Sequence, residues 1–284
     1  MDIFATTTTD SNPPRHAIES DSEEDEFNPL RHDSQQLSKV LKIQFLGDGV
    51  QPKDMLVVAT GDPGAFWAKG ASLEEQIGAV SVNGVQIGMV FTPKWTTANV
   101  VISEALSRLP VWAMHTYAKA IIDTLKPTTL ALLDEYSVPG YISNKPIPLP
   151  DAPIRYLSTG RFDPGSYAKP FAPPNLINTT SASLLSILSL HTNSTGTLLL
   201  LPSPNIPKPA PRTVEPSNFA HLTQDVTEWP TRIMLLAHKL LLRIIGGSES
   251  ADWDSSNVGG GGSGFSAKGN VARRSEIGEG GMYI

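Results

Sequence analysis

Apolar and polar positions divide the chain into a middle with the regular patterns of folded structure and two polar ends. Lys39 to Leu46 (KVLKIQFL) has the apolar density of a first strand, and Met55 to Thr60 (MLVVAT) follows after a Gly-Asp-Gly turn. A short continuous apolar run of that kind suits a strand buried on both faces, because neither side then meets water. GDPGAFWAKG (Gly61 to Gly70) reads as a glycine-rich turn, and Ser72 and Glu75 have the spacing of a capping box for a short helix. In AVSVNGVQIGMVF the pair Asn83-Gly84 sits between alternating apolar residues, a hairpin signal because both residues tolerate positive φ.

From Asn99 to Leu125 the apolar spacing becomes helical, and Pro110 is expected to split the segment so that VWAMHTYAKAIIDTL forms its second helix. Thr128 to Tyr136 reads as another buried strand, Ser181 to His191 as a helix, and Gly196 to Pro202 as a strand. Thr231 to Ile245 reads as a long helix closed by Gly246-Gly247. This alternation predicts an α/β fold: a single domain with a largely parallel sheet flanked by helices. Two proline-rich excursions, 139–174 and 202–216, are expected to be surface loops, since proline removes a backbone donor and fits neither a helix interior nor a central strand. The second has polyproline character that could engage an aromatic groove, although a connecting loop is the simpler account.

The domain reading is therefore an acidic tail over 1–36, an α/β body over 37–246 and a glycine-rich tail over 247–284, with both tails expected to be disordered. The head contains SDSEEDE, where acids follow Ser20 and Ser22 as an acidophilic kinase requires, but a solvated acidic run is the plainer reading. The 40% hydrophobic content is enough for a sizeable core, and the 23 glycines and 24 prolines account for long irregular segments. A net charge of −6 gives no basic footprint, so neither nucleic acid nor membrane is an expected partner. The absence of cysteine removes disulfides, thiolate metal sites and cysteine nucleophiles, and fits a reducing compartment. The start MDIFATTTTDSNPP has neither a basic leader nor an apolar core, so a cytoplasmic protein, with the nucleus also open to it, is expected. In that setting the sequons at Asn178 and Asn193 carry no glycan.

The search for chemistry begins at GDPGAFWAKGAS, which follows a strand, where phosphate-binding loops lie. Here Lys69 precedes Gly70, whereas a phosphate-cradling loop needs glycine immediately before its lysine; no G-x-G-x-x-G stands at this strand end either, and no G-x-S-x-G elbow occurs. The histidines, at 16, 32, 115, 191, 221 and 238, lack ligand spacing, so no metal or cofactor is expected, and His115 and His238 fit helix faces. Asp134 and Glu135 end a buried strand, the edge where open α/β sheets bind ligands, and are the best acid/base candidates. Neighbouring residues on a strand face opposite ways, however, so a polar strand end is the simpler account. The enzyme alternative is a nucleotide- or nucleoside-processing protein that uses the Gly61–Gly70 turn with Asp134 or Glu135.

The sequence ends on Met282-Tyr283-Ile284, a hydrophobic residue, a tyrosine and a last residue carrying a carboxylate: the HbYX arrangement. Flexible apolar surface, a rigid ring with a hydroxyl, and a negative group suit a pocket with a cation at its base. With MLVVATGDPGAFWAKG, FAPPNLINTTSASLLSILSLHTNSTGTLLLLP and this terminus, the chain resembles the proteasome assembly chaperones, of the chaperone 1 type in a fungal version. The resemblance is loose over about 37–245 and close at the terminus. It implies an α/β fold akin to nucleoside phosphorylases without their catalytic residues, and so no enzyme activity. It also implies a heterodimer with chaperone 2, placed on the outer face of the proteasome α-subunit ring. Met282, Tyr283 and Ile284 would enter a pocket between α subunits, and premature activator binding would be blocked. From Gly246 onward a tether of about 39 residues spans roughly 35 Å, enough to reach such a pocket.

Overall fold

The computed structural model describes residues 41–47, 49–217, 227–247 and 252–257. The acidic head and Met282-Tyr283-Ile284 lie outside the described residues. Among the described residues the strands are β1 (Ile43–Leu46), β2 (Met55–Thr60), β3 (Gly78–Val82), β4 (Val85–Phe91), β5 (Asn99–Ser103), β6 (Thr129–Ser137), β7 (Ile154–Ser158), β8 (Ala168–Pro170) and β9 (Thr195–Ser203). The helices are α1 (Gly61–Gly70), α2 (Val111–Leu125), α3 (Thr180–Ser189) and α4 (Thr231–Ile244). The strands form one sheet in the order β1-β3-β4-β5-β2-β6-β9-β7-β8. The α/β class and the helix-flanked sheet are as expected. Parallel pairing holds the centre, β5-β2-β6-β9, and recurs in β7-β8, whereas the hairpin side and the β9-β7 junction are antiparallel.

Strand alternation sorts the core into two layers. Val57, Ala59, Leu133 and Leu199 face Phe66, Trp67, Met234 and Leu241 from α1 and α4. Leu56, Val58, Leu132 and Leu198 face Tyr117, Ile121, Leu184 and Leu188 from α2 and α3. The central strands are continuous apolar runs because both their faces are covered, and each fully buried Leu, Val or Ile contributes about 1.5–3 kcal/mol. Asn83 and Gly84 make the expected hairpin turn with φ of 51° and 81°. Gly246, at φ 62°, ends α4 as expected.

Several expectations are corrected. Gly61–Gly70 is a helix rather than a turn, because its glycines serve close approach. A Cβ at Gly64 would stand 2.5 Å from the Ala59 backbone, and Phe66, Trp67 and Ala68 supply the buried face. No helix follows Ser72 and Glu75; Ser72 and Glu74 take φ of 48° and 64°, and Trp95 Nε1 donates to the Ala71 carbonyl at 2.8 Å to hold the bend. Asn99–Ser103 is a strand rather than helix, since Val100, Val101 and Ile102 are β-branched and covered on both sides. The helix after Pro110 forms as expected.

The 139–174 segment is not loop throughout, because it carries β7 and β8. Pro153 stands just before β7 and Pro170 closes edge strand β8, positions where a missing N–H is tolerated. The second excursion begins inside β9, which ends on the buried Pro202 and Ser203; the β7 pairing has already stopped at Leu200, so a missing N–H is tolerated there. From 204 on it is a loop, fastened across the start of α2. Arg108 Nη2 donates to the Lys208 carbonyl at 2.8 Å, Trp112 Nε1 donates to the Arg212 carbonyl at 3.1 Å, and Ser107 donates to the Glu215 carbonyl. Within the stretch read as a free tail from 247, Trp253 packs back onto the body: it is buried and donates through Nε1 to the Trp67 carbonyl at 2.8 Å.

Candidate functional site

The four central parallel strands end along one edge of the sheet, at Thr60, Ser103, Ser137 and Ser203, and the chain returns from β2 to β5 on one side and to β6 on the other. That is the position of a ligand crevice in open α/β sheets. Three carboxyl groups gather there. Glu104 follows β5 directly, with φ at 55°; its Oε2 accepts from the Leu109 backbone N–H at 2.8 Å and its Oε1 accepts from the Thr180 hydroxyl. Asp134 accepts from the Thr179 hydroxyl at 2.8 Å through Oδ2 and from the Glu135 backbone N–H at 2.8 Å through Oδ1. Ser181 donates to Thr60 Oγ1 at 3.2 Å, and the hydroxyls of Ser103 and Tyr117 share a hydrogen bond of 3.1 Å. The start of α3 therefore serves two acids at once, and its macrodipole favours their charge.

Burial sets the electrostatics. It pushes Glu104 and Asp134 above the usual carboxylate range, against the hydrogen bonds they accept. Glu135 is pushed up to about 7, again chiefly by burial; a hydrogen bond from Ser203 opposes this, while Asp134 and Asp62 reinforce it. Its Oε2 is buried without a hydrogen-bond partner. Burial also pushes the Tyr117 hydroxyl up.

As the strand geometry requires, Asp134 and Glu135 face opposite ways, one bonded to the start of α3 and the other toward Asp62 of α1. The Gly61–Gly70 segment is poorly shaped for phosphate. Pro63 removes a donor from the first turn, Asp62 already places a negative charge there, and Lys69 stands at the far end with its ammonium 5.7 Å from the Phe66 ring centroid. His238 is a buried helix-face histidine: Nδ1 accepts from Trp67 Nε1 at 3.2 Å, and its ring packs between Trp67 and Trp95. His115 and His191 are exposed, and His16, His32 and His221 lie outside the described residues. Among the described residues no group of three His, Cys, Asp or Glu could hold a metal, and no helix is long and apolar enough to cross a membrane. A shallow groove of about 530 Å³ at the opposite edge is lined by Tyr156, Ser158 and Gly160 to Asp163.

Sequence reasoning missed Glu104 and the hydroxyls of Thr179, Thr180 and Ser181. The available signal was a lone acid placed directly after a β-branched strand. Met282, Tyr283 and Ile284, the expected pocket-binding residues, lie outside the described residues.

No family profile and no curated protein matches the sequence. Solved structures are similar to it. PbaA of Pyrococcus furiosus, an archaeal homolog of proteasome-assembly chaperone, aligns over 72% of this chain and 86% of its own, with 10% identity and a TM-score of 0.46. PbaB of the same organism, an archaeal proteasome activator, aligns over 73% and 90%, with 11% identity and a TM-score of 0.47. A protein of unknown function from Thermoplasma acidophilum aligns over 54% and 68%, with 12% identity and a TM-score of 0.39.

Proposed function

We propose that the protein is a proteasome core-particle assembly chaperone without catalytic activity of its own, acting in the cytoplasm or nucleus. It pairs with a chaperone 2 subunit, rests on the outer face of the α-subunit ring, and inserts Met282, Tyr283 and Ile284 into a pocket between α subunits. Occupied pockets then keep activators off immature particles. The observation that carries this reading is the sequence order of an α/β body, a glycine-rich stretch and the Met-Tyr-Ile tripeptide. The internal bonding of Glu104 and Asp134 supports it, because those groups are committed to holding loops and α3 together. The described residues end at Asn257, and 27 residues of sequence separate it from Ile284. A glycine-rich linker of that length spans roughly 29 Å, and tethering a weak tripeptide at about millimolar effective concentration raises the avidity of a two-point grip by about a hundredfold.

The test is co-purification of α-ring subunits with the full chain expressed to end at Ile284, beside the same chain with one added residue and with Met282 to Ile284 removed. Both changes are expected to strip α subunits from a body with unchanged melting temperature. Equal recovery across the three would overturn the reading. One observation favours the enzyme alternative, a nucleotide- or nucleoside-processing protein: Glu135 sits near 7 at the carboxyl edge with an unpartnered oxygen. That reading requires nucleosides to raise the melting temperature and Glu135→Gln to remove the effect.

A further inference from the structure

Independently of that reading, an unpaired buried cation stands a short way along the same edge. Arg155, the second residue of β7, is only 6% exposed. Removing a guanidinium from water is costly unless its charge and donors find partners. Among the described residues no carboxylate forms an ion pair with it. Its guanidinium carbon lies 3.7 Å from the Tyr141 ring centroid and 5.5 Å from that of Tyr136, Nη1 donates to the Pro170 carbonyl at 3.0 Å, and the Tyr136 hydroxyl is a further hydrogen-bond partner of the guanidinium. The Nε–H is buried with no acceptor.

The frame around it is rigid. Tyr136 donates its hydroxyl to the Pro153 carbonyl at 2.8 Å, and the rings of Tyr136, Tyr141 and Phe171 meet edge to face at 5.4 to 6.4 Å. Ring faces compensate part of the charge but cannot accept the in-plane Nε–H. Beside this group is a cavity of about 10 Å³ lined by Tyr136, Val138, Tyr141, Ser143, Ile147 and Arg155. That is room for one oxygen atom.

The nearby surface is apolar. Ile142 and Leu176 are 63% and 84% exposed, and Asn175 ties their two loops together by accepting from the Ile142 N–H at 2.7 Å and donating to its carbonyl at 2.9 Å. Lys145, exposed on the same loop, adds positive charge in a chain whose net charge is −6.

We propose that this niche receives one carboxylate oxygen from an acidic residue of a protein partner, with the Arg155 guanidinium as its counter-charge and Ile142 and Leu176 packing against an apolar neighbour of that acid. A carboxylate suits the niche better than water alone, because charge-assisted bonds are roughly twice as strong as neutral ones and no carboxylate among the described residues pairs with the cation. The exposed apolar pair selects an acid flanked by a hydrophobic side chain.

The test uses the full chain labelled with ¹⁵N, in which the Arg155 Nε–Hε signal is assigned through its contacts to the Tyr136 and Tyr141 ring protons. Acetate and then N-acetyl-aspartyl-leucinamide are titrated at constant ionic strength against sodium chloride. A saturable shift is expected with both, with half-saturation on the order of millimolar for the dipeptide and about tenfold weaker for acetate. Ile147→Trp, which closes the mouth, is expected to abolish the shift; Ser143→Leu replaces it should that variant melt early. A shift absent with both probes, or reproduced by chloride, means that the niche holds water only and overturns the proposal. Equal half-saturation of the two probes overturns the role of the apolar rim, and a shift that survives closure in a folded variant overturns the location.

Discussion

The acid cluster under α3 and the Arg155 niche stand on the same edge of one sheet, yet they solve the problem of a buried ionisable group in opposite ways. Glu104 and Asp134 are hydrogen-bonded at both carboxyl oxygens, by backbone N–H groups and by hydroxyls from Thr179 and Thr180. Arg155 is held by ring faces, one carbonyl and the Tyr136 hydroxyl, with its Nε–H left over and no carboxylate beside it among the described residues. The first arrangement makes the acids part of the scaffold, since removing one orphans its partners. The second leaves a group whose removal orphans little, so the body's own stability gives little account of its presence.

The sharpest way to break this contrast is Glu104→Leu. It leaves the Leu109 N–H and the Thr180 hydroxyl buried without acceptors, and a loss of about 3 kcal/mol in unfolding free energy by urea titration is expected. A change below about 1 kcal/mol would show that those donors find water and that the cluster is not scaffold.

The next effect is one of pH. Glu135 has a folded-state value of about 7 against an ordinary 4.5, so the unfolded chain gives up this proton first. Its stabilising contribution is fully present below about 4.5 and is lost as the pH rises to about 7, amounting to about 3 kcal/mol. The raised values of Glu104 and Asp134 act in the same direction. Urea midpoints across pH 4.5 to 8 should fall in the native chain, and the fall should shrink by the Glu135 share in Glu135→Gln.

The smallest effect belongs to the niche. Arg155→Met replaces an unpaired ion with an apolar chain of similar length, and unfolding free energy is expected to change by less than about 1 kcal/mol, in either direction. A loss near that of Glu104→Leu would erase the contrast and make Arg155 a structural residue.

Much of the body was legible in the sequence. β2, β6, β9 and α4 follow runs long or apolar enough that burial alone dictates them, and Asn83-Gly84 has a backbone requirement few other pairs meet. What escaped depends on contacts distant in sequence. Glycines at 64 and 70 look like turn formers until Ala59 and Trp253 are seen against them. Prolines near β7 and β8 look like breakers until Pro153 is seen just ahead of β7 and β8 is known to be the edge strand, which Pro170 closes. In the candidate site, Asp134 and Glu135 were visible from their place at a strand end. Glu104 was not, because its hydroxyl partner Thr180 lies 76 residues away. Arg155 was hidden inside a stretch read as loop.

The seat of Trp253 depends on the absence of a single carbon. A Cβ at Gly70 would come within 2.4 Å of that indole, so Gly70→Ala would displace it. One methyl group on a helix would thus undo a contact made across 183 residues of sequence, and with it the hydrogen bond from the indole to the Trp67 carbonyl.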